Sequence, residues 1–502
     1  MQITQKKGGV VLSYAQMVSN VLVKFIYTPF LLRALGQNEY GLFSLVMSIV
    51  GYLTILDFGF GSTVTRYTVK YKSNNDKESL YKLYGTLSVM YILMGVIALV
   101  ICCLLSYFTP ELFSARMTDE EITKLQLMIF LCGINLLFTF PFQISVSVLV
   151  AYERFILKNG VSLIRTYLQP ATLILLLYLV HIKSVGAIVV VTLFNLFTYL
   201  IYYIYAYRKL DFKFSIKNVE PRMIKGLLSF SVWMFLITIF EHLQYNSGQF
   251  IIGLFQGADV IAVWGIAMIF ILNYRSISTA ITNVFLPYYL SESFKNNDEG
   301  IERNTYKMTR FQTVALFTIL ANFILFGQVF IDMWAGESYH DAFKAALIVM
   351  IPMTLALLLD FCYLIQIATN KLKFRIATLY VGFATAFATV YLTKGITLTS
   401  YAFVMAGSII VSQIICVLYY IRNNIRLNLV TFFKNIVKVS LLPTLVTVVA
   451  YFILNRFTDF THGSVLSLIV SVIIYNTIIA SLYCFFILTQ EEKTLIKNMF
   501  SR

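Results

Sequence analysis

The sequence has little of what metal, redox or nucleotide chemistry requires. It contains six cysteines, all inside apolar runs, only four histidines, and no Cys-x-x-Cys motif. No cysteine has the spacing to a histidine that a zinc site needs, so we expect neither disulfides nor a metal centre. A Walker loop and other glycine-rich nucleotide cradles are also missing, which argues against an ATP-driven pump. The sequence therefore predicts no cofactor.

Charged residues are scarce as well. Only 13% of the 502 residues are charged, whereas 59% are apolar, and the mean hydropathy is +0.78. Soluble globular proteins have about 25% charged residues. This composition excludes intrinsic disorder and argues against a nucleic-acid-binding domain. It is typical of an integral membrane protein.

Long apolar runs extend along the whole chain. A helix crosses the hydrocarbon core in ~20 residues, and continuous rather than alternating apolar runs favour helices over an outer-membrane barrel. We therefore expect an all-α polytopic membrane protein with about fourteen transmembrane helices. The predicted spans are 9–33, 40–65, 83–108, 123–150, 159–181, 184–207, 226–251, 259–290, 311–334, 342–369, 374–393, 396–421, 432–455 and 463–488.

The distribution of Lys and Arg predicts the orientation of these spans. The N-terminus, the C-terminus and the loops on the same side contain 29 of the 39 basic residues, and the opposite loops contain only seven. Positively charged loops stay in the cytoplasm. The asymmetry therefore places both termini in the cytoplasm of a multi-pass protein of the plasma (inner) membrane. It also accounts for the net charge of +15 without a nucleic-acid partner.

The outward loops are short, and the longest are 109–122 and 335–341. Neither is long enough to fold as a domain. A membrane enzyme such as a polysaccharide polymerase or ligase would need a long outward loop with converging Arg, His or acidic residues. This class is the less favoured alternative, and we expect a transporter rather than an enzyme.

A weak internal repeat relates two loops that join consecutive spans. At a constant offset of 221 residues, Gly36 aligns with Gly257, Gly41 with Ala262, and Phe43 with Trp264. An offset of six spans preserves orientation, so the two halves would be parallel repeats. We expect an N-terminal lobe at 1–210, a C-terminal lobe at 211–425, and two additional spans with a cytoplasmic tail at 426–502.

Several short stretches, in this order, resemble one family of transporters. They are Leu35-Gly36, Tyr40-Gly41-Leu42-Phe43, Leu56-Asp57-Phe58-Gly59, Arg66-Tyr67, Pro141 in the fourth span, Ala151-Tyr152-Glu153-Arg154-Phe155, Leu228-Ser229-Phe230-Ser231 and Ala368-Thr369-Asn370-Lys371-Leu372-Lys373. The set resembles the polysaccharide flippases, which carry O-antigen, capsule or exopolysaccharide repeat units, within the multidrug/oligosaccharidyl-lipid/polysaccharide exporter superfamily.

The resemblance implies two six-helix lobes around a cavity that opens alternately to either side of the membrane. The implied cargo is an oligosaccharide repeat unit on a polyprenyl diphosphate, moved for surface polysaccharide assembly. The implied partners are this lipid-linked oligosaccharide, membrane lipids, a coupling ion (H⁺ or Na⁺) and other polysaccharide-assembly proteins. A transporter of the same fold with another cargo, the lipid-linked peptidoglycan precursor or a drug-like cation, remains the alternative.

Three cations fall well within the predicted spans: Lys24, Arg165 and Arg275. A charge at mid-bilayer costs ~2.5–3.5 kcal/mol, so each should face a partner, a wet cavity or an interface. A diphosphate needs cations, and Arg can hold phosphate oxygens in a bidentate fork. These three residues are therefore candidates for substrate binding. For Arg165, which lies about two turns from the cytoplasmic end of its span, snorkelling to the interface is the alternative.

Three acids within the spans, Asp57, Glu241 and Asp360, are candidates for ion coupling. By the repeat offset, Lys24 maps one turn from Glu241, and Asp57 maps one turn from Arg275. In the family architecture, Lys24 and Arg275 would then share one wall of the cleft, and Asp57 and Glu241 the opposite wall. A coincidental offset and, for Asp57, a purely structural role remain alternatives.

Overall fold

The structure, a computed structural model, describes residues 2–57, 60–210, 212–213, 219–294, 298–368, 372–392, 397–424, 427–456 and 465–487. Within these residues the regular structure is helical. The α-helices are α1 (Gln2–Leu35), α2 (Gln37–Leu53), α3 (Phe60–Ser73), α4 (Lys77–Phe113), α5 (Asp119–Ala151), α6 (Phe155–Leu179), α7 (Ser184–Lys209), α8 (Pro221–Phe255), α9 (Ala258–Phe294), α10 (Asp298–Trp334), α11 (Asp341–Leu358), α12 (Phe361–Ala368), α13 (Leu372–Leu392), α14 (Leu398–Ile409), α15 (Cys416–Asn424), α16 (Leu429–Arg456) and α17 (Val465–Leu482).

Eleven of the described helices are long and apolar enough to cross a membrane. They correspond to eleven of the fourteen predicted spans, because both follow from the same continuous apolar runs. The other three predicted spans, 9–33, 40–65 and 226–251, fall on α1, on α2 together with α3, and on α8. The all-α polytopic class is confirmed, and the chain is a multi-pass membrane protein.

The chain divides into two compact units, Met1–Gly265 and Ile266–Arg502. In the first unit, polar side chains join neighbouring apolar helices. The hydroxyl groups of Ser19 and Tyr167 lie 2.7 Å apart between α1 and α6, and Asn135 on α5 donates to Thr192 on α7 at 3.1 Å. Such contacts are favourable inside a membrane, where water cannot satisfy the same groups. The expected division at residues 210 and 425 stays a prediction.

In the second unit, α16 and α17, which correspond to the last two predicted spans, pack against α10. Asn322 and Asn476 form a reciprocal pair, with Nδ2 to Oδ1 distances of 3.0 and 2.9 Å. The hydroxyl groups of Thr447 and Tyr475 lie 2.7 Å apart beside them. An amide pair of this kind specifies the register of two apolar helices, which dispersion alone leaves loosely defined.

The repeat-related glycines occupy equivalent positions in the structure. Gly36 directly precedes α2, with a φ of 80° that favours glycine, and Gly257 directly precedes α9. The helices that they introduce then touch within the first unit. A Cβ atom on Gly265 of α9 would lie only 2.8 Å from Oγ of Ser44 on α2, and these two positions are themselves separated by the repeat offset of 221 residues.

Candidate functional site

Two of the candidate acids lie where a span is interrupted. Asp57 ends a 3-10 segment, Thr54–Asp57, between α2 and α3. Asp360 lies in the turn between α11 and α12. Each carboxylate therefore stands just before a new helix begins, where it meets the positive end of the helix dipole. Discontinuous helices of this kind form the ion and substrate sites of many transporters.

The Asp57 carboxylate is held by two donors. The Tyr91 hydroxyl on α4 donates to Oδ1 at 2.7 Å, and the backbone N–H of Gly61 in the first turn of α3 also donates to the carboxylate. Tyr91 is completely buried and packs edge-on against Phe60, with ring centroids 6.3 Å apart. Asp57 thus caps α3 and is fixed in position by a rigid phenol.

The cation Arg165 belongs to the same region of the first unit. It is half-buried on α6, and its Nε donates to Oε1 of Gln169 at 2.9 Å. Tyr199 on α7 lies within electrostatic range of both Arg165 and Asp57. We call the group of Asp57, Tyr91, Arg165, Gln169 and Tyr199 the N-terminal polar cluster. It brings together one predicted coupling acid and one predicted diphosphate-binding cation.

The other candidates are distributed over both units. Lys24 is exposed on α1, and Glu241 is half-buried on α8, so both lie in the first unit. Arg275 on α9 and Asp360 are half-buried in the second unit. The arrangement in which Lys24 and Arg275 share one wall of a cleft remains a prediction.

A second charged group ties the first unit together at the end where α5 and α7 begin. The Glu39 carboxylate accepts from Lys124 Nζ at 2.6 Å and from the Ser184 backbone N–H at 3.1 Å, and it also accepts from the Ser184 hydroxyl. Burial alone would raise the pKa of Glu39, but the hydrogen bonds from Lys124 and Ser184 outweigh it and lower the pKa. Glu39 therefore stays ionised at neutral pH and fixes the ends of α2, α5 and α7.

The sequence did not identify Tyr91, Tyr199 or Glu39 as members of polar groups. Tyrosine is so frequent here, with 33 residues, that no spacing distinguished Tyr91 and Tyr199. The break at Asp57 did have a signal, because Gly59 and Gly61 interrupt an apolar run there. The turn before Asp360 has no glycine or proline beside it.

Residues 6–294 match the family described as polysaccharide biosynthesis protein. This match covers more than half of the chain, so the chain belongs to that family, and the resemblance seen in the sequence is confirmed. A putative O-antigen transporter of Shigella flexneri is 22% identical over 62% of this chain and 72% of its own length. An uncharacterized membrane protein of Bacillus subtilis (strain 168), EpsK, is 19% identical over 78% of this chain and 77% of its own.

Solved structures of two kinds of transporter share the fold. The lipid II flippase MurJ in an inward closed conformation has a TM-score of 0.69 at 16% identity and covers 94% of this chain and 98% of its own. An inward-facing multidrug resistance transporter of the MATE family, in the MOP superfamily, has a TM-score of 0.60 at 13% identity and covers 86% and 96%. The protein is thus a membrane transporter of the polysaccharide biosynthesis family.

Proposed function

We propose that this protein is a flippase for oligosaccharide repeat units linked to a polyprenyl diphosphate. It moves them from the inner to the outer leaflet of the plasma membrane, with both of its own termini in the cytoplasm. The observation that carries the proposal is the family match over residues 6–294. The similarity to a putative O-antigen transporter supports a saccharide cargo. The MurJ-like fold supports a lipid-linked one.

The charges inside the spans suit this cargo. A diphosphate must lose much of its hydration to enter a space between apolar helices, and fixed cations replace the lost water. Charge-assisted phosphate contacts contribute roughly 1.5–3 kcal/mol each. Lys24, Arg165 and Arg275 supply these contacts in our proposal, while the cargo alternates between an inward-open and an outward-open cavity.

Transport of a large anionic lipid also needs a driving force. We assign the coupling ion, H⁺ or Na⁺, to the acids Asp57, Glu241 and Asp360. Asp57 and Asp360 stand at helix interruptions, where a change of charge alters the stability of the helix that follows. An ion bound at such a carboxylate would therefore change the angle or the population of the broken span.

The test is translocation in proteoliposomes containing the purified protein. A labelled polyprenyl-diphosphate oligosaccharide should become accessible to an added glycosidase on the opposite leaflet, and an imposed proton or sodium gradient should accelerate this. Parallel vesicles contain the lipid-linked peptidoglycan precursor or a cationic dye. Faster movement of either alternative cargo, with no movement of the oligosaccharide, would overturn the proposed function.

A further inference from the structure

The last two turns of α3 form a basic and aromatic surface that the proposed transport mechanism has not used. The helix contains three basic residues, Arg66, Lys70 and Lys72, and no acid. On the predicted topology this end of α3 faces the cytoplasm. It is therefore placed at the leaflet from which the cargo enters.

Tyrosine rings hold the two lysines in place. Lys70 Nζ lies 5.9 Å from the ring centroid of Tyr67 and 6.0 Å from that of Tyr71. The two rings are 6.1 Å apart and inclined by 34°. Lys72 Nζ lies 4.0 Å above the ring of Tyr152, which caps α5. We call Tyr67, Lys70, Tyr71, Lys72 and Tyr152 the basic–aromatic platform.

The platform combines fixed charge with accessible surface. Both lysines are exposed, and the three rings are half-buried. An ammonium group has three N–H donors, and an aromatic face below it engages only one side of the group. The remaining donors point away from the ring and can meet an anion. Because the rings already restrict the side chains, an anion that binds them orders less than it would on free lysines.

We propose that the basic–aromatic platform binds the diphosphate–sugar head group of the lipid-linked cargo before translocation. Two neighbouring ammonium groups match the two or more negative charges of a diphosphate. The ring faces beside them offer an apolar surface to the C–H face of the first sugar. An anionic phospholipid with one charge and a glycerol head group would use the lysines but not the rings. The inference rests on the proposed function.

The platform is also joined to the N-terminal polar cluster through one helix. α3 begins immediately after the break that Asp57 terminates, and Lys70 lies ten residues beyond its first residue, Phe60. At 1.5 Å per residue the two sites are separated by roughly 15 Å of continuous helix. Cargo bound at Lys70 and Lys72 therefore acts on the same rigid element that Asp57 caps.

The first test measures equilibrium binding of a short-chain prenyl-diphosphate oligosaccharide to the full-length protein in detergent. The Lys70→Gln, Lys72→Gln double variant should raise the Kd about tenfold, which corresponds to about 1.4 kcal/mol. The matched control is Lys77→Gln, Lys82→Gln, which removes the same charge from the exposed start of α4. It should change the Kd less than twofold. An equal effect of both pairs would overturn the proposal, because diffuse charge would then explain the binding.

Two further arms separate the cargo from phospholipid. Tyr67→Leu, Tyr71→Leu should weaken binding severalfold, and Tyr67→Phe, Tyr71→Phe should preserve it, because the rings matter and the hydroxyl groups do not. Excess phosphatidylglycerol should not displace the oligosaccharide; displacement would identify a phospholipid site and overturn the proposal. Binding in detergent needs no transport, so a protein that binds this cargo at the platform but does not move it would refute only the proposed function.

Discussion

Asp57 shows how a single residue can serve the fold and the transport function at once. It caps α3, accepts the Tyr91 hydroxyl at 2.7 Å and lies within electrostatic range of Tyr199. A residue that only capped a helix would tolerate replacement by asparagine, because Asn is as good an N-cap as Asp. A coupling residue would not, because an amide cannot take up and release an ion. The two roles are therefore separable by experiment.

We predict that Asp57→Asn folds normally but abolishes the acceleration of translocation by an ion gradient. Tyr91→Phe, which removes one hydrogen bond worth ~1 kcal/mol, should slow gradient-driven translocation about fivefold. Tyr84→Phe is the control, because it removes a hydroxyl from a buried ring on the same helix, away from Asp57. The measurement is the translocation rate with and without a gradient. Gradient-dependent transport by Asp57→Asn would leave Asp57 with a structural role only.

The cations allow a second prediction at this scale. Lys24→Ala and Arg275→Ala should each strongly reduce surface polysaccharide in a flippase-null strain without lowering the level of the protein in the membrane. Lys24→Arg should retain more activity than Lys24→Gln, because charge matters more than shape at a point contact. Arg275→Lys should be the more damaging of the two conservative changes if the guanidinium binds two oxygens. Full export by the Lys24→Ala, Arg275→Ala double variant would show that the diphosphate is bound elsewhere.

The helices α2 and α9 illustrate packing at the scale of elements. Gly41 on α2 faces the first residue of α9, and a Cβ atom there would lie 1.8 Å from the Ala258 carbonyl oxygen. Nearby, Gln37 Nε2 donates to the Asp259 carbonyl oxygen at 3.3 Å. Small residues let two backbones approach closely within a membrane. The Tyr40-Gly41 pair in the family-like stretch thus has a physical reason at its second position.

We predict that Gly41→Ala destabilises the protein by about 1–3 kcal/mol, the usual effect of overpacking a close contact. The control is Gly51→Ala on the same helix, where an added Cβ atom would meet nothing within 4 Å. The change to Ala should be neutral or slightly stabilising at that position, since Ala favours helix more than Gly does. Thermal unfolding in detergent distinguishes the two variants. Equal melting temperatures would mean that α2 and α9 are not held this closely.

For the whole molecule, hydropathy predicted the helices and their approximate ends, because the length of an apolar run is set by the thickness of the membrane. It did not predict the interruptions at Asp57 and Asp360, which depend on which donors surround a carboxylate in three dimensions. Arg375 makes the same point. It was counted with the cytoplasmic loop cations, yet it is only 6% exposed in α13, with its guanidinium 5.1 Å from the Tyr363 ring centroid. Composition reports how many charges there are, and packing decides which of them reach water.

Orientation is the property of the whole molecule on which the platform and the direction of transport depend. Asn74 lies exposed in the turn between α3 and α4, and Ser338 lies exposed in the short segment Glu337–Tyr339 between α10 and α11. The excess of Lys and Arg predicts that Asn74 faces the cytoplasm and Ser338 the outside. A further cytoplasmic position, Asn297, lies outside the described residues.

We therefore predict that, in intact cells, a membrane-impermeant thiol reagent labels Ser338→Cys and leaves Asn74→Cys unlabelled. Both should react after permeabilisation, which shows that each cysteine is accessible in the folded protein. The parent protein, with its six native cysteines, gives the background. Labelling of Asn74→Cys from outside would reverse the orientation. Lys70 and Lys72, within four residues of Asn74, would then face the leaflet that the cargo leaves, and the platform would not receive the diphosphate on entry.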